Sequence, residues 1–326
     1  MTAEIKKKDI TYRWAINHAL AEEMRRDPKV ILYGEDVGKH GGNFAVSRGL
    51  FDEFGENKVF DTPISETAII GTAIGAAMTG LRPVVELMFA GFIGTCFDQV
   101  FYKLSDWKHW NNLKSLPVVV RLPMGGGAGH EHSHCPEALL IHSPGLKVVC
   151  PSTPYDAKGL LKTAIRDDDP VAYLEHINLY AMKGPVPSDE EVLIPFGQAS
   201  VRREGRDVTI ISYSSMIYKA LTAAEKLSQE GIEAEVIDLR TLVPLDEEAI
   251  LKSVEKTGKV VIAHESMERG GTGGWLASII IDKGFDYLDA PIKIVAGQNV
   301  TLLGGPVDPI STPQAPNIIE AVKSLF

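Results

Sequence analysis

Residues 58–88 read KVFDTPISETAIIGTAIGAAMTGLRPVVELM, and the fold is decided in this stretch. Lys58–Asp61 is a short β-rich run that Thr62-Pro63 interrupts. Ser65–Gly80 carries small and aliphatic residues suited to a helix, and Arg82–Met88 is a second apolar strand. The same cycle extends in both directions. Upstream, Ile16, Ala19, Leu20 and Met24 mark a helix over Thr11–Arg26 that Asp27-Pro28 stops. The strand Val30–Tyr33 follows and ends in Gly34-Glu35-Asp36, ahead of a loop holding Gly41 and Gly42. Downstream the spacing predicts a long helix over Phe92–Trp110 and a buried strand at Pro117–Pro123 (PVVVRLP). After these come a strand at Lys147–Pro151, a helix at Tyr155–Arg166 and a strand at Val171–Glu175.

The text then changes character. Residues 183–195 read KGPVPSDEEVLIP, three prolines and a charge cluster, which suits a linker. The cycle restarts with strands at Asp207–Tyr213, Ala234–Leu239, Lys259–His264 and Ile292–Ala296. Helices at Ser215–Gly231, Asp246–Lys256 and Trp275–Lys283 separate them. Continuous apolar strands alternating with helices imply parallel sheets covered on both faces. The expectation is α/β, two doubly wound domains over residues 1–185 and 197–326, joined by a linker at 186–196.

Composition narrows the function classes. Across 326 residues, 33 basic side chains face 43 acidic ones, a formal charge of −10, which argues against nucleic-acid binding. No apolar run approaches the ~18 residues of a membrane span, and MTAEIKKK is too polar for a signal peptide. Cys96, Cys135 and Cys150 form no CxxC pair, so a reduced protein of the cytoplasm or an organelle matrix is expected, with the cytoplasm as the assigned place. Nucleotide-binding signatures are missing: Gly125-Gly126-Gly127-Ala128-Gly129 ends in His130 where a third fingerprint glycine would stand, and neither a P-loop nor a nucleophile elbow occurs.

Four stretches could carry chemistry. Glu66 lies between a strand end and a small-residue helix, where open α/β sheets bind ligands. Apolar neighbours would suit its carboxyl to holding or sharing a proton, although a first-turn glutamate also simply favours the helix dipole. Phe89 and Phe92 follow the next strand and could offer a face to a flat heterocycle, or fill the core. His130, His132 and His134 with Cys135 could ligate zinc, supply one working histidine, or be plain loop residues. Ala164–Pro170, AIRDDDP, ends a helix where carbonyls and carboxylates could hold a hard cation, or be a solvated helix end.

Taken together, these stretches resemble a family, the beta subunit of the decarboxylating (first) component of thiamine-diphosphate-dependent 2-oxo acid dehydrogenase complexes. Pyruvate, branched-chain 2-oxo acid and acetoin dehydrogenases belong to this group. The likeness runs through GEDVG (Gly34–Gly38), VSRGL (Val46–Leu50), DTPISE (Asp61–Glu66), GLRPVVELMF (Gly80–Phe89), PGLKVV (Pro144–Val149) and DAKGLLKTAIRDDDPV (Asp156–Val171). It continues in VIDLRTLVPLD (Val236–Asp246) and LDAPIKIV (Leu288–Val295). The resemblance implies a transketolase-like pyrimidine-binding domain followed by a transketolase C-terminal-like domain.

It also implies roles. Glu66 corresponds to the glutamate that hydrogen-bonds the aminopyrimidine ring and, by sharing a proton with it, helps bring the cofactor to its reactive form. Phe92 matches the residue that stacks on that ring. Glu35 matches an acidic group in the polar passage linking the two cofactor sites, and His132 the histidine near the substrate and acyl group. Val118, Ala164, Ile165, Asp167 and Asp169 match positions that ligate a structural potassium ion in some members.

The family's diphosphate and magnesium motif, which begins Gly-Asp-Gly, is absent from this chain and belongs to the alpha subunit. The resemblance therefore implies half an active site in a heterotetramer of two alpha and two beta chains. Its substrate would be a 2-oxo acid or acetoin, and a dihydrolipoyl acyltransferase would be the acceptor. A two-chain transketolase-type carboligase not linked to a lipoyl complex is the alternative.

Three segments depart from the family pattern. Lys108–Asn112 stands where YMSGG is usual, Glu131–Cys135 where QHSQS is usual, and Gly297–Gly305 where a proline-rich turn is usual. They flank the expected substrate entrance and leave substrate identity open. Glu86–Gln99 is most similar to the acetoin branch.

Overall fold

Thr11 starts the first long helix: its hydroxyl accepts the Trp14 N–H at 3.4 Å, and Tyr12–Arg26 follows with Ala15, Ile16, Ala19 and Leu20 fully buried. The computed structural model describes residues 7–126, 129, 131–188, 191–300 and 311–326. Gly127, Ala128 and His130 of the loop noted above, and residues 301–305 of the Gly297–Gly305 segment, lie outside the described residues. The chain divides into two compact units. One comprises Met1–Met124 and Leu139–Phe196, the other Gly125–Ala138 and Gly197–Phe326.

In the first unit six strands run parallel in the order Lys147–Val149, Val171–His176, Val119–Met124, Arg82–Glu86, Val30–Gly34, Val59–Asp61. Three of these strands, Val30–Gly34, Val119–Met124 and Val171–His176, are buried along their whole length, as expected for a sheet covered on both faces. Helix Tyr12–Arg26 packs against Pro154–Arg166. The latter opens with a capping box, Asp156 N–H to Thr153 Oγ1 and Thr153 N–H to Asp156 Oδ2, each 3.1 Å.

Arg121 lies at the centre of this sheet with no exposed surface. Its Nε and Nη2 donate to the two carboxylate oxygens of Glu175 at 2.6 and 2.8 Å, and Nη1 pairs with Glu86 on the neighbouring strand. Tyr180 Oη donates to Glu175 at 2.8 Å. Burial pushes the Glu86 carboxyl above its usual range, although the Arg121 charge opposes this.

Two sequence expectations are corrected here. Phe92–Trp110 is not one helix but a 3₁₀ segment (Ala90–Thr95), a π segment (Gln99–Leu104) and a short α-helix (Trp107–Trp110). Gly91 and Gly94 weaken its start, and hydroxyls compete for its carbonyls, Thr95 bonding Phe92 O at 2.8 Å and Ser105 bonding Phe101 O at 2.5 Å. The proline-rich text from Lys183 begins as a strand, Lys183–Pro187, paired antiparallel with Lys7–Thr11. Its prolines are tolerated because this is a two-stranded edge. Beyond it, Val192 and Ile194 are buried over Gly159, where a Cβ would meet Ile194 Cγ1 at 2.6 Å.

In the second unit the strand order is Lys293–Gly297, Val260–Met267, Val208–Ser212, Ala234–Asp238, Ser200–Arg203, all parallel except the last, an antiparallel edge. Helices Met216–Ser228 and Ala315–Lys323 cover one face over a core that includes Val208, Ile210, Val236 and Val261. Asp246 caps helix Glu247–Thr257 through Oδ1, which accepts the Ala249 N–H at 3.0 Å. The edge strand and the final helix were not read from sequence. The helix spans only nine residues, and its burial is carried by Ile318 and Val322.

His264 is sealed in this unit: its Nδ1 lies 3.0 Å from Ser266 Oγ, and a Cβ on Gly273 would come within 2.7 Å of its Nε2. Burial lowers its pKa to about 4.

Two outcomes are expected. Arg121→Met leaves two carboxylates facing each other without a counter-charge and lowers unfolding stability by about 3–5 kcal/mol in urea titration. A free histidine binds its proton near pH ~6.5, whereas His264 in the fold binds one only near pH 4. The unfolded chain therefore gains protons first, and this group's contribution to stability is lost as pH falls from about 6.5 towards about 4. His264→Gln removes that part of the slope in melts run across the window; an unchanged slope would assign the acid loss to other groups.

Candidate active site

Two parallel strands, Val30–Gly34 and Val59–Asp61, end side by side, and their carboxyl ends carry the acidic cluster. Asp36 turns the chain in the left-handed region (φ 57°), and Gly38 N–H bonds Asp61 Oδ1 at 2.6 Å, tying one strand end to the next. Between them Glu35 is buried, and its Oε1 has no hydrogen-bond partner among the described residues. Burial pushes the Glu35 carboxyl above its ordinary range. The negative charges of Glu66 and Asp36 push in the same direction, and the Ser65 backbone N–H opposes them. The Thr62 hydroxyl, on the loop after strand Val59–Asp61, is a second buried polar atom without a partner among the described residues.

Glu66 is the first residue of helix Glu66–Met78, which lacks a side-chain cap from Ser65. Its half-buried carboxylate therefore sits at the positive end of thirteen helical residues. Thr67 Oγ1 donates to Thr95 O at 2.8 Å, which draws this helix start against the 3₁₀ segment carrying Phe92. Phe92 is half-buried and meets Phe89 edge-on at 5.7 Å, Phe89 meets Phe44 edge-on at 5.7 Å, and Phe44 stacks on Tyr180 at 5.1 Å. Beneath Phe92 the Cys96 thiol bonds the Phe92 and Ile93 carbonyls. Burial, with the charges of Glu66 and Asp98, pushes that thiol up to about 12.

Glu35, Glu66 and Phe92 thus share one end of one sheet. Two orphaned polar atoms, a carboxylate pair and a partly open aromatic ring suit a flat, nitrogen-bearing heterocycle that both donates and accepts hydrogen bonds.

His132 belongs to the second unit, within Gly125–Ala138. It is half-buried, and its backbone N–H and the Ser133 hydroxyl both reach Gly129 O, at 3.3 and 2.6 Å. Both ends of this segment are pinned: Gly126 N–H donates to Glu265 Oε1 at 3.1 Å, and Tyr213 Oη donates to Glu137 Oε1 at 2.9 Å. An amide of the glycine run that could have faced a phosphate is therefore used by a protein carboxylate. Among the described residues no group of three or more His, Cys, Asp and Glu could hold a metal ion, and His130 of the zinc alternative lies outside them.

Each position expected to ligate potassium has a protein partner. Val118 O accepts the Val171 N–H at 2.9 Å, Ala164 O the Asp167 N–H at 3.3 Å, and Ile165 O and Asp167 O bond Arg82 at 3.1 and 2.8 Å. The Asp167 carboxylate is held by Lys147 and that of Asp169 by Lys108 and Lys147.

Residues 8–183 match the family "Transketolase, pyrimidine binding domain" and residues 197–312 "Transketolase, C-terminal domain". The chain is 48% identical over 295 residues to the 2-oxoisovalerate dehydrogenase subunit beta of Bacillus subtilis (strain 168), covering 89% of this chain and 90% of that one. The chain belongs to the beta subunits of the thiamine-diphosphate-dependent 2-oxo acid and acetoin dehydrogenases.

Two further beta subunits match over nearly their whole length. The pyruvate dehydrogenase E1 component subunit beta of Staphylococcus epidermidis (strain ATCC 35984) is 44% identical, covering 95% of this chain and 96% of that one. The acetoin:2,6-dichlorophenolindophenol oxidoreductase subunit beta of Cupriavidus necator is 42% identical, covering 97% of each. Identity to this acetoin enzyme is no higher than to the other two, so the acetoin leaning of Glu86–Gln99 does not extend over the chain. A solved structure described as "Split gene transketolase, inactive beta4 tetramer" superposes with a TM-score of 0.78 at 26% identity, covering 97% of this chain and 98% of that one.

Sequence reading missed three features of this beta subunit. The Arg121 triad was signalled only by one charged residue inside an apolar strand. Phe44 came from a loop with no pattern to mark it, and Lys108 from a segment read as mid-helix. The coupling of the two carboxyls has a direct consequence. Glu66→Gln removes one of the charges that raise Glu35, so the Glu35 carboxyl should titrate at lower pH in carboxyl-resolved NMR; an unmoved titration would mean that the two groups do not sense each other.

Proposed function

We propose that this chain contributes the pyrimidine-side half of the active site of a dehydrogenase that cleaves a 2-oxo acid or acetoin and hands the acyl group to the lipoyl group of an acyltransferase. The observation that carries the reading is the Glu35–Glu66 carboxyl pair beside Phe92, with buried polar atoms left for a ligand. Thiamine diphosphate, when bound, supplies the carbon nucleophile that such substrates need. Glu66 would hold or share a proton at a ring nitrogen of the pyrimidine, where the helix start keeps its carboxylate oriented. Phe92 would lie against the ring. Glu35, which keeps its proton to higher pH than an ordinary carboxyl, would serve as a proton store next to Glu66. His132 would act on the substrate and the departing acyl group.

The diphosphate and its magnesium would be held by an alpha subunit. The supporting facts are the lack of a Gly-Asp-Gly motif and the engagement of the Gly126 amide by Glu265. The "inactive" beta tetramer named for the split-gene transketolase is in keeping with a beta chain that needs a partner. Ile64, 82% exposed two residues before Glu66, is an apolar side chain that such a partner would cover. Identities of 42–48% to dehydrogenase beta subunits favour this reading over a transketolase-type carboligase, whose structural relative is 26% identical. No helix among the described residues is long and apolar enough to cross a membrane, and we place the assembled enzyme in the cytoplasm.

Calorimetry tests the division of labour. The chain alone should bind thiamine diphosphate at least about tenfold more weakly than the complex with its alpha partner, a difference of ~1.4 kcal/mol. Equal affinity would assign the whole cofactor to one polypeptide. In the complex, Glu66→Gln should preserve assembly and reduce turnover by roughly a hundredfold or more. Assaying pyruvate, branched 2-oxo acids and acetoin side by side identifies the substrate.

A further inference from the structure

The turn Asp167-Asp168-Asp169 closes helix Pro154–Arg166 and precedes strand Val171–His176 with three consecutive carboxylates. Three cations from three other parts of the first unit converge on it. Arg82, which opens strand Arg82–Glu86 two places away in the sheet, donates Nη1 to Ile165 O (3.1 Å) and Asp167 O (2.8 Å), and Nη2 to Asp168 Oδ1 (2.7 Å). Lys147 Nζ lies 2.7 Å from both Asp167 carboxylate oxygens and 3.1 Å from Asp169 Oδ2. Lys108, on the short helix Trp107–Trp110, pairs with Asp169 Oδ1, and its Nζ lies 3.5 Å from Asp168 O.

Backbone groups use what remains: Leu116 N–H bonds Asp168 O at 2.8 Å, and Asp169 N–H bonds Asp167 Oδ1 at 2.8 Å.

Three carboxylates on the turn face three cations, of which Arg82 also approaches Asp27, Nε to Oδ2 3.8 Å. A free cation placed among these carbonyls would stand beside three fixed positive groups. We propose that the ammonium groups of Lys108 and Lys147, with the Arg82 guanidinium, take the place of a monovalent metal ion on this turn, so that the beta subunit holds it by tethered cations and needs no potassium. The assignment is independent of the cofactor reading, because none of these residues belongs to the Glu35–Glu66–Phe92 group.

Thermal melting of the purified full chain in potassium chloride and in choline chloride at equal ionic strength tests it. The native chain should melt within about 1 °C in the two salts, and Lys108→Met should melt a few degrees lower in choline but regain most of the loss in potassium. Lys108→Arg, which keeps the charge, should remain indifferent to the ion. The proposal is overturned by a native chain several degrees more stable in potassium, or by a Lys108→Met chain that potassium fails to restore. Should Lys108→Met not fold, equilibrium dialysis of the native chain against radioactive rubidium decides: no bound ion supports the tethered cations, and a retained ion refutes them.

Discussion

A single guanidinium fully withdrawn from water sets the terms for the first unit. Arg121 lies between Glu86 and Glu175, and its three strands are adjacent in the sheet. Removing Arg121 would leave two buried carboxylates without a counter-charge in a medium that cannot solvate them, so the three strands meet in one register. Glu86 is also the last residue of its strand, three positions before Phe89. The turn that presents Phe89 and Phe92 therefore begins where the triad anchors the backbone. A purely aliphatic sheet could slide at little electrostatic cost; this one cannot, and the site inherits that precision.

At the adjoining strand ends the logic is reversed. Buried polar groups are almost always paired, yet Glu35 Oε1 and Thr62 Oγ1 have no partner among the described residues. Glu66 raises the cost of the Glu35 charge instead of relieving it. Such an arrangement costs stability, and a ligand supplying the missing donors and acceptors would offset that cost. The contrast with the Asp167–Asp169 turn is instructive. Three carboxylates there are matched by three cations, and every expected ion ligand is engaged. One acidic cluster keeps carboxyls that repel, and the other is matched by cations.

The second unit contributes a different kind of order. Gly125–Ala138 departs from the first unit's sheet in sequence but is fastened within the second unit through Glu265 and Tyr213. The histidine expected to meet the substrate is thus carried on a segment whose anchors come from the C-terminal domain.

Much of the fold was legible in the chain. Strands such as Val30–Gly34 and Val208–Ser212 are continuous apolar runs, and helices such as Tyr12–Arg26 and Glu247–Thr257 have caps and stops written beside them. Glu66 and Phe92 were legible as strand-end residues, and Glu35 through its resemblance motif, because open α/β sheets place ligands at the carboxyl ends of strands. The segment after Phe92 was misread because glycines and competing hydroxyls broke a helix that apolar spacing alone favoured. Pairings between residues distant in the chain could not be read: Arg121 with Glu86 and Glu175, Lys108 and Lys147 with the aspartate turn, Gly126 with Glu265. Periodicity reports which face of an element is apolar. It carries no information about which charged side chains meet once the elements pack, and those meetings decide where a charge is neutralised and where one is kept available.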